Sequence, residues 1–214
     1  KNKTNNIIVM YTKNIENIGN VSFHEFFDSE TFAFRHKKLL EVIPKDSIVL
    51  DIGSHVGYFS LLFGSCVGEN GKVIAFEPNP KTYDVLVENS KNNPNFNIIP
   101  YNSACTPETK KYIFNYSDPT IYNNGMNGGY FDELTHGDDI KNFHSYKVEV
   151  DGVNVVDFLH KNHSDLIDNI KFIKTDTEGL DKEVLKTLRP IIEKNKPVLM
   201  VEAFVSLTDE EMED

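Results

Sequence analysis

Short apolar runs rich in β-branched residues alternate along this chain with stretches of helical periodicity, the pattern of βα units around a parallel sheet. A helical pattern over Thr31 to Ile43 breaks at Pro44-Lys45-Asp46 and is followed by the strand Ile48 to Asp51, a glycine turn and an apolar helix from Tyr58 to Cys66. A second unit follows: the strand Val73 to Glu77, then Pro78-Asn79-Pro80, where Asn79 can cap and Pro80 can open the helix Lys81 to Asn92. Asn97 to Asn102 predicts a third strand, and its internal Pro100 argues for an edge position. After a looser stretch the pattern returns, with a helix from Val153 to Asn162 and a strand from Ile170 to Asp176. A helix from Leu180 to Leu188, ended by Pro190, and a final buried strand from Val198 to Glu202 complete it. The expected fold is α/β, a doubly wound, mostly parallel Rossmann-like sheet.

Between Thr106 and Asp151 the periodicity is weak. Lys111 to Asn115 and Tyr146 to Val150 read as strands, separated by a Gly/Asn-rich stretch from Tyr122 to Gly129 and an acidic patch from Asp132 to Asp139. Inside a compact domain such a stretch is more often a lid or binding loop than a linker, so residues 106–151 are expected to cover an acceptor. Residues 1–30 read as an amino-terminal extension of one domain spanning 1–214, since this length suits one α/β domain better than two. The absence of an initiating Met suggests a trimmed chain or one part of a longer polypeptide with neighbouring domains.

Charge narrows the partners. With 22 basic and 33 acidic residues the formal net charge is −11, which removes the broad basic footprint that nucleic acid requires. Cys66 and Cys105 have no metal-ligand spacing and are too few for a disulfide framework, so a cytoplasmic setting is expected. No apolar run approaches the roughly 20 residues of a membrane span, and the start of the chain lacks a signal-peptide core.

The predicted strands each end in a polar group: Asp51, Glu77, Asn102, Asp176 and Glu202. In an open parallel sheet these share one rim, where ligands bind. The first turn, Asp51-Ile52-Gly53-Ser54-His55-Val56-Gly57, has His55 where a dinucleotide fingerprint needs glycine, which disfavours NAD. Glu77 lies 20 residues after Gly57 and ends the next strand, where an acid holds ribose hydroxyls. A nucleoside is the expected ligand.

Val49-Leu50-Asp51-Ile52-Gly53-Ser54-His55-Val56-Gly57-Tyr58-Phe59-Ser60, Phe76-Glu77-Pro78-Asn79-Pro80 and Phe172-Ile173-Lys174-Thr175-Asp176-Thr177-Glu178-Gly179 together resemble the FkbM family of S-adenosylmethionine-dependent methyltransferases, over roughly Glu30 to Glu202. The last motif is the most specific to that family. The resemblance implies O-methylation, commonly of sugar or macrolide hydroxyls. It implies that Asp51, Gly53, Ser54, Gly57 and Tyr58 surround the methionine part of S-adenosylmethionine. Glu77 would take the ribose, with Pro78, Asn79, Asn102 and Ser103 near the adenine. His55 stands where the family usually has Asn, and Glu30 where it often has an acid before the first helix. A methyltransferase sheet of this type continues past the fifth strand, yet only Ala203 to Asp214 follow Glu202. The sheet is therefore expected to end early, with Val198 to Val201 as an edge strand that needs a cover.

Transfer to an alcohol requires a proton acceptor near the methyl group, and Asp176 is the first candidate base. Glu178 is a second acid or a counter-charge for Lys174, which stands in an apolar strand and reads equally as a structural ion pair or a substrate contact. His136, in the loose segment, is a candidate to face the acceptor. A divalent metal clamp from Asp176, Glu178 and Glu202 is conceivable, but no metal is assigned. The expected partner is a small-molecule or glycan hydroxyl. The alternatives are RNA ribose 2'-O-methylation and a non-catalytic nucleoside-binding module.

Overall fold

The computed structural model describes residues 10–24, 27–116, 130–131, 146–177 and 179–202. Its centre is a five-stranded sheet of β3 (Ile48–Ile52), β4 (Lys72–Phe76), β5 (Ile98–Tyr101), β10 (Ile170–Thr175) and β11 (Val198–Val201). The order is β11-β10-β3-β4-β5 and every pairing is parallel. This is the doubly wound α/β arrangement expected, with the proline-bearing β5 at one edge. β3 and β4 are almost wholly apolar because both faces of a central parallel strand are covered. α1 (Ser29–Leu39), α2 (Tyr58–Val67) and α3 (Pro80–Lys91) follow the early strands, and α4 (Val155–Asn162) and α5 (Asp181–Asn195) the later ones.

Local chemistry sets several boundaries. Asn79 caps α3 by accepting from the Lys81 N–H, with Pro80 at the first helical position, as its sequence predicts. α1 begins earlier than the apolar pattern because the Asp28 carboxylate accepts from the Glu30 and Thr31 N–H groups. α5 does not end at Pro190 as expected but runs through it. Pro190 and Lys186, whose carbonyl loses its partner, both lie on the exposed face, so water can take the freed acceptor.

Two regions depart further from the expectation. The extension carries a hairpin of β1 (Tyr11–Ile15) and β2 (Gly19–Phe23), turned through Asn17 and Gly19 at positive φ. Its Ile15, Val21 and Phe23 are buried with Phe27, Phe32, Leu61, Leu62 and Phe96, and the side chains of Asn93 and Asn89 bind the backbone of Ser22 and His24. It is part of the body rather than an appendage. The stretch expected to be a loose lid contributes a second sheet, ordered β6 (Ala104–Cys105), β9 (Tyr146–Val153), β7 (Lys110–Tyr116) and β8 (Tyr130–Phe131). β7 and β9 pair antiparallel from Lys110↔Gly152 to Tyr116↔Tyr146, and Tyr112, Phe114 and Val150 join the core beneath α4 and α5. The Gly/Asn-rich and acidic stretches, and His136 among them, lie outside the described residues.

β11 was expected to be buried; instead Val198, Leu199 and Val201 are 39–43% exposed. It is an edge strand, and one side of its ladder lacks a neighbour among the described residues. Residues 203–214 lie outside them.

Candidate active site

The turn after β3 is drawn tightly against the sheet. The Gly53 and Ser54 N–H groups donate to the Phe76 carbonyl, and the Ser54 hydroxyl donates to the Asp51 carbonyl at 2.6 Å. Gly53 has φ +75°, and a Cβ there would stand 1.8 Å from the Asp176 carbonyl oxygen, so only glycine lets β3 and β10 end side by side. At Gly57, φ +91°, a Cβ would press on Leu86. The contacts a side chain would make at either position are with the protein itself. His55, between them, takes the left-handed conformation at φ +50°.

Two carboxylates stand at the strand ends in different roles. Asp51 is fully buried: Oδ2 accepts from the Ser60 hydroxyl at 2.5 Å, and Oδ1 lacks a hydrogen bond, with the Lys174 Nζ 3.4 Å away. Glu77 is 7% exposed, its two oxygens accepting from the N–H groups of His55 (2.9 Å) and Asn79 (2.8 Å). Burial outweighs those bonds and lifts the Glu77 carboxyl to about 7. Asn102 supports the same turn by donating to the carbonyls of Glu77 and Pro78, with Ser103 half-buried after it.

Lys174 is paired despite its place in an apolar strand. Its ammonium donates to the Gly53 carbonyl at 2.9 Å and lies 3.4 Å from Asp51 and 3.3 Å from Asp176, at 3% exposure. Burial alone would lower its pKa, but the two carboxylates hold it above the usual lysine value. These contacts tie the ends of β3 and β10 together, and Lys174 also lines the cavity above them. His55 is pushed down to about 4, chiefly by burial and further by Lys174, against the pull of Asp176, so its imidazole is neutral.

Above this network lies a cavity of about 370 Å³. Gly53, Ser54, His55, Tyr58, Lys174 and Asp176 line it, with Asp176 a third exposed. Glu77, Asn79 and Asn102 lie outside that lining, and Glu77 connects to it through His55, a lining residue from whose N–H it accepts. Glu30 is exposed and does not line it; its neighbours Asp28 and Thr31 do, with Phe23, Phe27 and Arg35. Sequence reasoning missed this wall, and its one signal was the density of aromatic residues before α1. Glu178 lies outside the described residues. Among those described, no cluster of His, Cys, Asp or Glu is arranged to hold a metal, and no helix is long and apolar enough to cross a membrane. Both cysteines are free and buried.

This rim, with a glycine turn against β10 and a buried acid on the next strand, coincides with a family match over residues 51–213 to the Methyltransferase FkbM domain. The chain belongs to the FkbM methyltransferase family. Among curated relatives, it is 26% identical over 171 residues to Methyltransferase sdnD of Sordaria araneosa, covering 67% of this chain and 61% of that protein. It is 39% identical over 62 residues to Hexuronic acid methyltransferase AglP of Haloferax volcanii, covering 29% of this chain and 24% of that one. The crystal structure of Methyltransferase FkbM from Methylobacillus flagellatus KT aligns over 80% of this chain and 40% of its own, with TM-score 0.46 and 16% identity. The chain thus spans less than two thirds of each.

Proposed function

We propose that this FkbM-family chain binds S-adenosylmethionine along the rim from Asp51 to Asn102 and directs its methyl group to a hydroxyl of a sugar or glycan held in the cavity. The observation that carries the reading is Asp176: a partly exposed carboxylate in the cavity wall, its backbone against Gly53, beside a neutral histidine. The donor set suits the nucleoside. Glu77 is a buried acid suited to hydroxyl donors, and the Asp51 carboxylate beneath the glycine turn, its Oδ1 3.4 Å from the Lys174 ammonium, adds negative charge on the side where an ammonium-bearing ligand would lie. When bound, the sulfonium supplies an electrophilic methyl group.

The remaining steps belong to the chain's own residues. Asp176 accepts the hydroxyl proton on its carboxylate, while Lys174, 3.3 Å away, orients that group. With His55 uncharged near neutral pH, Lys174 is the cation beside Asp176. Phe23, Phe27, Tyr58 and Phe59 form an apolar wall that keeps water from the reacting atoms. The name of the Haloferax relative supports a sugar acceptor, the net charge of −11 argues against RNA, and the two free thiols support a cytoplasmic setting. An acceptor-side role for residues 106–151, His136 among them, with Glu178 as a second acid, belongs to the same proposal.

Calorimetry with S-adenosylhomocysteine, followed by transfer of a labelled methyl group across a panel of glycans, tests it. Asp176→Asn is expected to keep nucleoside affinity near the wild-type value and to slow transfer by roughly 10²–10⁴. Equal losses of affinity and rate would make Asp176 a residue that positions the donor. Salt-dependent retention on RNA would favour a ribose 2'-O-methyltransferase, and tight nucleoside binding without transfer a non-catalytic module.

A further inference from the structure

One cation of the cavity wall has no role in the transfer. Arg35, on the exposed side of α1, carries its guanidinium over the rings of Tyr58 and Phe59, 5.5 and 5.6 Å from their centroids, and lines the same cavity as Asp176. Contact with the two rings, and with the Tyr58 hydroxyl, steadies the guanidinium while leaving its other donors for an oxyanion. No carboxylate of the described residues forms an ion pair with it. Asp28, also in the wall, is engaged otherwise, accepting from the N–H groups of Glu30 and Thr31 and from the Thr31 hydroxyl.

The other basic groups in the lining are not available to an anion. Lys174 is buried between Asp51 and Asp176, and His55 is neutral. In a chain with eleven more acidic than basic residues, an arginine facing a cavity without an acidic partner runs against the prevailing charge. Its position also matters. The donor-holding rim falls inside the family match, which begins at residue 51, whereas Arg35 precedes it on a wall formed by the amino-terminal segment.

We propose that Arg35 is a specificity-determining residue that binds an oxyanion carried by the acceptor, so that the substrates are acidic sugars, bearing a carboxylate or phosphate besides the methylated hydroxyl. This rests on the methyl-transfer reading, which sets the acceptor hydroxyl at Asp176. The donor's own carboxylate offers the same chemistry, and the test separates the two sources.

Titration calorimetry of the full chain with glucuronate, glucose 6-phosphate and glucose, alone and with S-adenosylhomocysteine, reads the proposal without turnover. An anionic sugar should bind about fivefold tighter than glucose, the upper end of what one ion pair at an exposed site supplies. Arg35→Ala should bring that ratio close to one, and Arg35→Lys should recover part of it, which a merely structural role for the stacked side chain would not produce. In turnover the preference should appear in KM rather than kcat. The proposal is overturned if wild type prefers neither anionic sugar, if Arg35→Ala leaves the ratio unchanged, or if that variant weakens S-adenosylhomocysteine more than the anionic sugar. A wild-type chain that binds no S-adenosylhomocysteine removes the methyl-transfer reading instead, and the sugar ratio without nucleoside still decides the role of Arg35.

Discussion

Asp51, Lys174 and Glu77, at the ends of β3, β10 and β4, are buried and bound to the protein, whereas Asp28, Thr31 and Arg35, across the same cavity, are exposed. The first group forms a closed network: Ser60 on Asp51, Asp51 and Asp176 around Lys174, and two backbone N–H groups on Glu77. The second group stands on α1 and its cap, which join the hairpin and α2 through edge-to-face aromatic packing, with ring centroids 5.6–6.0 Å apart among Phe23, Phe27, Phe32 and Tyr58. The difference suggests a division of labour. A rim whose polar atoms hold each other has one geometry, which on the proposed reading suits the methyl donor. A wall of exposed polar side chains on an apolar footing can change without unfolding the sheet, which suits the choice of acceptor.

If the rim is such a closed network, breaking it should cost far more than altering the wall. The largest effect is expected from Lys174→Met, which leaves Asp51 buried without its cation and should lower stability by about 3–5 kcal/mol. Urea unfolding would detect this, and a loss below about 1 kcal/mol would mean that the rim is not held by the ion pair. Gly53→Ala comes next. Its Cβ meets the Asp176 carbonyl and its φ is left-handed, so a cost of about 3–4 kcal/mol is expected, together with weaker nucleoside binding. Unchanged stability and affinity in that variant would show that β3 and β10 separate easily.

Glu77 gives a pH test of somewhat smaller size. Its carboxyl is raised from 4.5 to about 7 in the folded protein, so between those values the native state binds more protons than the unfolded state. Stability from this group is therefore fully present below pH 4.5 and declines through pH 7, by roughly 3 kcal/mol over the window. Glu77→Gln should flatten that slope. S-adenosylhomocysteine, whose ribose hydroxyls prefer the ionised acid, should bind wild type more tightly as pH rises toward 7. Identical slopes for wild type and variant would remove the proton from Glu77. Thr31→Ala, in the exposed wall, should shift stability by less than about 0.5 kcal/mol. A loss comparable with that of Gly53→Ala would erase the contrast between rim and wall.

The βα alternation, the Asn79–Pro80 helix start, the edge position of β5 and the rim residues Asp51, Glu77 and Asp176 were legible because each follows from local rules. Strands end where apolar runs meet a polar residue, helices start at caps, and proline avoids central ladders. The motif Ile173-Lys174-Thr175-Asp176 could be read as belonging to the site, but the job of Lys174 could not, because its two carboxylate neighbours include Asp51, more than a hundred residues away in the chain. The same distance hid the need for glycine at position 53, which is set by the Asp176 backbone. Pro190 within α5 was misread because the consequence of a missing N–H depends on which face of the helix meets water. The hairpin was missed, and of the second sheet the strands Lys111 to Asn115 and Tyr146 to Val150 were read but not their pairing, for a related reason. Pairings such as Tyr11↔Phe23 and Lys110↔Gly152 leave only weak alternation in each strand, and their apolar faces have meaning only against α2 or α4 and α5. Local sequence thus determined the elements and the polar stops of the sheet. Only tertiary packing decided which of those polar groups are bound within the protein and that Asp28, Thr31 and Arg35 face the cavity, because burial and charge pairing are set by residues distant in the chain.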